Sequence, residues 1–186
     1  MSPIEVELAA PTFLVAVPQL GDPNFNRGVV FVLEHSDEGS MGLVINRPGT
    51  LNLKTFASIQ NMQFRGDGSA LVLQGGPVQT DRAFILHASE HRGPETEDIM
   101  AGTRLSYSLE SLRLITHEPP SRLRIFLGYA GWGPGQLAKE ITAGAWLVAP
   151  ASEALVFETP HDRIWDAALR GMGIDPALLM HSGAVH

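Results

Sequence analysis

Residues 123–137, Leu-Arg-Ile-Phe-Leu-Gly-Tyr-Ala-Gly-Trp-Gly-Pro-Gly-Gln-Leu, constrain this chain more than any other stretch. An apolar run over 123–127 is followed by Gly128, Gly131, Gly133 and Gly135, with Pro134 among them. The pattern predicts a strand ending at Leu127, a glycine loop, and a short helix starting near Gly135. A helix N-terminus presents unpaired N–H groups and a partial positive charge, so such a loop can hold a phosphate or a carboxylate. The same grammar also serves a tight structural corner, and the residues leave both readings open.

The rest of the chain supplies short elements. Residues 12–17 read as a strand stopped by Pro18, and residues 18–28 as an irregular loop carrying Phe25 and Arg27. Those two side chains either line a site or plug the core edge and pair with a surface carboxylate. Runs at 29–33 and 42–45 around a polar turn predict a β-hairpin whose strands are apolar on both faces, hence central in a sheet. Leu51, Leu53, Phe56 and Ile59 predict a helix capped by Thr50 or Asn52. Strands follow at 70–73 and 84–87 with a Gly75-Gly76 corner between them, and residues 88–102 read as a solvated acidic loop. Residues 104–108 read as an edge strand, after which Ser108 caps a helix with Leu109, Leu112 and Ile115. Strands are expected at 145–148 and 154–157. Thr159-x-x-Asp162, with Pro160 in the first turn, predicts a helix running to 171–173, and Asp175 caps a last one through Met180. The tail 181–186 has no packing pattern and is expected to be mobile. Roughly eight or nine strands and four helices, partly hairpin and partly strand-helix-strand, make a single mixed α/β (α+β) domain over residues 1–186.

Composition narrows the function. A net charge of −7 disfavours a broad nucleic-acid footprint, which needs a basic surface to displace counterions. The absence of cysteine excludes disulfides, thiolate metal sites and a cysteine nucleophile. No apolar segment reaches membrane-spanning length, and the first residues carry Glu5 and Glu7 rather than a basic cluster before an apolar run, so a cytoplasmic protein is expected.

The catalytic patterns do not match. Where a phosphate loop needs Gly-Lys-Ser/Thr, the chain reads Gly135-Gln136-Leu137; the glycine spacing is not that of a dinucleotide fingerprint, and no nucleophile elbow occurs. His87 and His91 lie among carboxylates at a density that invites a metal, yet Gly93-Pro94 and the preceding strand argue against one helical face. No catalytic residue, metal or cofactor is assigned. Trp132 is read as filling a core edge, with stacking on a ligand ring as the alternative.

Four blocks carry a resemblance: residues 20–27 (Leu-Gly-Asp-Pro-Asn-Phe-Asn-Arg), residues 41–48 (Met-Gly-Leu-Val-Ile-Asn-Arg-Pro), Gly75-Gly76-Pro77-Val78, and residues 128–137. Together, in this order, they resemble the AlgH/YqgE family of bacterial proteins. The resemblance implies a bent, branching, mostly antiparallel sheet forming a pseudo-barrel with flanking helices, in a cytoplasmic protein with no assigned reaction and a label as a transcriptional regulator. This chain departs from the family pattern at Gly28, where serine is usual, and in its last residues.

The reading that follows is a non-enzymatic binding or regulatory module. Asn24, Phe25, Arg27, Asn46, Arg47, Trp132, Gly133 and Gly135 are its candidate ligand-binding residues, and its partner is a small anionic ligand or another protein. The alternatives are a DNA-linked transcriptional regulator, and a hydrolase or transferase acting on a small phosphorylated or anionic ligand through His35 or His87 with Asp37 or Asp81.

Overall fold

The structure is a computed structural model and describes residues 8–182, so the N-terminal residues 1–7 and the tail residues 183–186 lie outside it. Strand β1 (Thr12–Ala16) is buried along its whole length and shows how the sheet is made. Phe13 and Val15 enter one core while Leu14 and Ala16 enter another on the opposite face. Continuous apolar runs of this kind are what a sheet covered on both sides demands. Strands β2 (Val29–Ser36) and β3 (Gly39–Val44) form the expected hairpin, longer than the apolar runs alone and closed at Asp37-Glu38.

The chain then gives β4 (Pro48–Asn52) and α1 (Leu53–Ile59), whose cap is Asn52, accepting from the Thr55 N–H at 2.8 Å. Strand β5 (Leu71–Gln74) turns at Gly75-Gly76 into β6 (Val78–Ala88). Residues 96–100 correct the acidic-loop expectation: they form strand β7 (Thr96–Met100), followed by β8 (Thr103–Ser106). The expected edge strand is therefore interior, since β8 pairs with both β6 and β7 and all four of its residues are buried. The edge belongs to β7, and its exposed Glu97 and Asp98 suit an edge that must not pair with another chain. Helix α2 (Leu109–His117) starts at Ser108 as expected, with the Ser111 N–H donating to the Ser108 hydroxyl at 3.0 Å.

The largest correction concerns the glycine stretch. Strand β9 (Leu123–Trp132) does not stop at Leu127 but runs on through Gly128 and Gly131. Its first half pairs in parallel with β5 (Leu73 opposite Phe126), its second half antiparallel with β3 (Gly42 opposite Ala130), and its other edge with β6 from Leu123 to Leu127 and again at Tyr129. The glycines serve close approach rather than a loop. A Cβ on Gly75 would overlap the Gly128 carbonyl oxygen, and one on Gly76 would overlap the Tyr129 carbonyl. Only Gly133, Pro134 and Gly135 turn, leading into α3 (Gln136–Thr142), which begins where expected.

After β10 (Trp146–Ala149), residues 154–158 form a single π-helical turn instead of the expected strand. A short apolar run cannot by its periodicity be told from a buried helical segment, and here Val156 and Phe157 bury in the core without a sheet edge to join. The Thr159 capping box is also absent. The Thr159 hydroxyl donates to the Ala154 carbonyl at 3.0 Å and closes the π turn, so a 3₁₀ turn at His161–Arg163 leads into α4 (Ile164–Gly171) without a side-chain cap. Helix α5 (Pro176–Ser182) follows Asp175, which accepts from the Ala177 N–H at 2.9 Å.

The main path of the sheet is β10-β1-β2-β3-β9-β6-β8-β7, with β4 and β5 branching from β9. It is mixed but almost wholly antiparallel, and curls into a half-barrel flanked by helices, the fold class expected from the sequence. Helix α4 packs in the core that holds Phe13 and Phe31, α3 packs on the opposite face against Trp132 and Trp146, and α1 and α2 cover a third cluster around Ile85 and Ile125.

The branch point sets a stability prediction. Gly76→Ala forces the β9 backbone away and costs about 3 kcal/mol or more, a fall in Tm of roughly 6–12 °C for a chain of this size. Gly171→Ala, at the end of α4 with nothing near its added methyl, changes stability by no more than about 1 kcal/mol. Thermal melts of both variants check the contrast.

Candidate functional site

The residues singled out around the 22–28 loop meet in one network. Asn46 accepts from the Val29 N–H at 2.9 Å and donates to the Arg27 carbonyl at 2.9 Å. Arg47 donates to the Pro23 carbonyl at 2.6 Å and to the Asn26 carbonyl at 3.0 Å. Both side chains thereby hold the loop to the end of β3, and each Arg47 bond is a charge-assisted one. Asn24 is exposed, its N–H donating to the Asp22 carboxylate at 2.9 Å.

Phe25 lies stacked on Trp132 at 6.3 Å and edge-on to Trp146 at 5.5 Å. The two indole N–H groups converge on one Glu140 oxygen, at 3.2 Å from Trp132 and 3.1 Å from Trp146. Arg27, at the left-handed φ of 52°, sits over the Trp165 ring at 5.5 Å, with Nη2 at 3.6 Å from the Met180 sulfur. Gly133 donates its N–H to the Gln136 side chain at 3.0 Å, and Gly135 takes φ 72° at the start of α3. Of Arg27, Arg47 and Trp132, Trp132 alone lines the large groove described next.

That groove, about 1020 Å³, opens between the far end of the β2–β3 hairpin and strands β9, β6, β8 and β7. Phe84, Tyr107, Tyr129 and Trp132 supply ring faces, with Phe84 and Tyr129 edge to face at 5.8 Å. Arg82 lies over the Phe84 ring at 5.0 Å and the Tyr107 ring at 5.8 Å. Its position comes from a wide bulge: β6 pairs Val78 with Tyr129 and next Ala83 with Leu127, so residues 79–82 oppose Gly128 alone. Bulges of this sort re-aim side chains beside functional sites.

Tyr107 donates its phenol to Glu97 at 3.0 Å, and that carboxylate holds the phenol above its usual pKa, keeping it a donor. Glu34 and Glu38 add two exposed carboxylates to the hairpin side. Between them His35 Nδ1 and the Ser40 hydroxyl are 2.6 Å apart across the hairpin. Sequence reasoning reached Trp132 and His35 but missed Arg82, Tyr107 and Tyr129, because nothing local marks a residue that a bulge will lift over its neighbour. The one available signal was the turn-rich Gln-Thr-Asp-Arg run at 79–82 inside an otherwise apolar strand.

His87 and His91 lie with ring centroids 5.2 Å apart, but among the described residues no group of three or more metal-ligating side chains forms. His87 is fully buried. Its Nδ1 is 2.8 Å from the Ala88 carbonyl, which can only accept, so the proton sits there and Nε2 accepts from the Ser106 hydroxyl at 2.7 Å. Ser106 in turn meets the Thr96 hydroxyl at 2.7 Å, which links this buried chain to edge strand β7. Arg104 fixes the same strand by donating to Asp98 at 2.7 Å and to the Ser89 carbonyl at 2.6 Å. Neither His35 nor His87 hydrogen-bonds a carboxylate among the described residues.

Burial, and next the charges of His91 and Arg104, pull the His87 pKa down against the opposing Ala88 bond; burial and Arg104 do the same to His91. Both histidines are thus harder to protonate folded than unfolded, where the pKa is about 6.5. Their stabilising contribution is complete above that value and is lost as the unfolded chain takes up protons below it. Denaturant unfolding between about pH 7.5 and about pH 5 should therefore show stability falling with acid, and His87→Gln, whatever its offset at neutral pH, should fall less steeply than the parent.

Comparison with known proteins places the chain by family and fold. A family model described as AlgH-like matches residues 13–177. A UPF0301 protein of Myxococcus xanthus is 48% identical over 172 residues, covering 92% of this chain and 94% of the relative. Another, from Thioalkalivibrio sulfidiphilus, is 41% identical over 171 residues, covering 90% and 91%. The solution structure of the AlgH protein from Pseudomonas aeruginosa superposes with a TM-score of 0.76 at 36% identity, over 94% of this chain and 97% of that one. A crystal structure from Corynebacterium diphtheriae shares the fold at a TM-score of 0.75 and 23% identity, over 94% and 93%.

Proposed function

We propose that this chain, which belongs to the AlgH-like family, is a cytoplasmic, non-enzymatic binding module of regulatory type whose working face is the aromatic groove. The observation that carries this reading is the groove itself: about 1020 Å³, with four aromatic rings and a guanidinium stacked over two of them. Its volume lies at the upper end of ligand sites, and its length along six strands suits an extended segment better than a compact metabolite.

Charge selects the partner. Glu34, Glu38 and Glu97 outnumber Arg82 around the groove, so a polyanion is repelled and a neutral or basic protein segment with aromatic or long aliphatic side chains is matched. Among the described residues no helix is long and apolar enough to cross a membrane. The net charge of −7 favours a protein partner over direct DNA contact in any regulatory role.

Selection from a library of short displayed peptides tests this. Peptides pairing Lys or Arg with an aromatic residue should be enriched, and their affinity should fall with added salt and several-fold in Glu34→Gln/Glu38→Gln. Enrichment of acidic peptides, or equal binding to Tyr129→Ala, would overturn it.

A second reading is favoured by one distance, the 2.6 Å between His35 Nδ1 and the Ser40 hydroxyl inside the groove, the separation of a nucleophile and its base. In a hydrolase of this design Ser40 attacks an acyl carbon while His35 takes its proton. What such a site needs beyond this is a third group orienting the ring, and no side chain or carbonyl hydrogen-bonds His35 Nε2 among the described residues. Hydrolysis of a p-nitrophenyl ester that disappears in Ser40→Ala, with the fold retained, would establish it; equal rates in parent and variant would remove it.

A further inference from the structure

Arg124, near the start of β9, is a cation without a counter-ion among the described residues. Its Nη1 donates to the Leu123 carbonyl at 3.0 Å and its Nη2 to the Phe157 carbonyl at 2.7 Å. No carboxylate of the described residues lies within ion-pair distance of it. A guanidinium carries five N–H donors, so among the described residues most remain unused, and Nε is neither hydrogen-bonded there nor buried. The side chain is nonetheless half-buried, and burial alone draws its pKa below the ordinary arginine value. The charge persists, because arginine does not release its proton in proteins.

The element that accepts from Nη2 is the π turn at residues 154–158, a form that recurs at functional sites. Beside it Arg124 lines a cavity of about 320 Å³ whose other walls include Leu53, Leu73, Ile125 and Ile164, all buried core side chains. His161 also lines it, and no carboxylate or lysine does. The cavity shares no lining residue with the aromatic groove, so it is a separate place on the molecule.

We propose that this cavity is a binding site for a small organic monoanion, a carboxylate on a short branched hydrocarbon body. The carboxylate pairs with the free donors of Arg124, and the body lies against Leu53, Leu73, Ile125 and Ile164. A single guanidinium matches a single negative charge, so a polyphosphate would leave charges unpaired against an apolar wall. The volume is at the small end of ligand sites and suits a molecule of a few carbons.

Amide ¹H–¹⁵N spectra of the full chain test the assignment, with isovalerate, its neutral counterpart isovaleramide, and inorganic phosphate as probes. Isovalerate should give saturable shifts confined to the cavity walls at residues 45, 53, 69–73, 123–125, 156–161 and 164, and isovaleramide should bind about tenfold more weakly. Arg124→Gln should erase the preference for acid over amide and Arg124→Lys should keep part of it. Because Arg124 also holds the Phe157 carbonyl, the acid–amide comparison on the unaltered protein is decisive. Equal binding of the two, shifts elsewhere, or no saturation at tens of millimolar would overturn the site, and phosphate binding as tightly as isovalerate would overturn the apolar half of the assignment.

Discussion

The contact on which this structure depends is backbone against backbone. Gly75-Gly76 lies so close to Gly128 and Tyr129 that no side chain fits between them. Without that approach the Gly75 N–H cannot donate to the Leu127 carbonyl at 2.8 Å, nor the Val44 N–H to the Gly75 carbonyl at 2.8 Å. These two bonds hand β9 from β5 to β3, and the handover is what lets one ten-residue strand serve both arms of a branching sheet. On the other edge, residues 79–82 of β6 bulge out opposite the same Gly128, without strand partners, and carry Arg82 over the groove. The fold's central joint and its most built surface therefore share a cause.

Around this joint, three arginines show three ways of placing a guanidinium. Arg47 spends its charge on the Pro23 and Asn26 carbonyls and fixes a loop. Arg104 is buried yet reaches the exposed Asp98 and pins the edge strand. Arg124 is half-buried and, among the described residues, has carbonyl partners only, and a carbonyl is a dipole that satisfies a donor without neutralising a charge. Of the three only Arg104 meets a carboxylate; Arg47 gives its donors to carbonyls at a solvent-exposed loop, whereas Arg124 stands beside an apolar cavity, where the proposed anion pairs with it. The aromatic groove is the electrostatic opposite: its one arginine is stacked on rings and its free charges are carboxylates. Two surfaces of opposite preference on one small domain fit a module that joins a macromolecular partner to a small-molecule signal.

Where reading the residues worked, the cause lay close in sequence. The caps at Asn52 and Ser108 and the turn at Asp175 follow from side chains that accept from N–H groups two or three residues on. The centrality of the first strands follows from apolar residues on both faces. Where it failed, the deciding partner was distant. Thr159 has every local feature of an N-cap but gives its hydroxyl to Ala154. Residues 96–100 carry an acidic composition that reads as loop, and become a strand because β8 offers an edge and Arg104 an ion pair.

By itself, then, the sequence determined the order of most elements, the two-sided burial of the first strands, and a diagnostic set of glycine, asparagine and arginine blocks, since each rests on local geometry or on burial of apolar side chains. Tertiary structure decided what those blocks are for. Whether glycines at 128 and 131 loosen a chain into a loop or admit a neighbouring backbone depends on what stands opposite, and here β5, β3 and β6 stand opposite. Whether an arginine is a staple or a site depends on which carboxylate or carbonyl arrives beside it. Both are properties of packing between segments far apart in the chain, which local pattern does not encode.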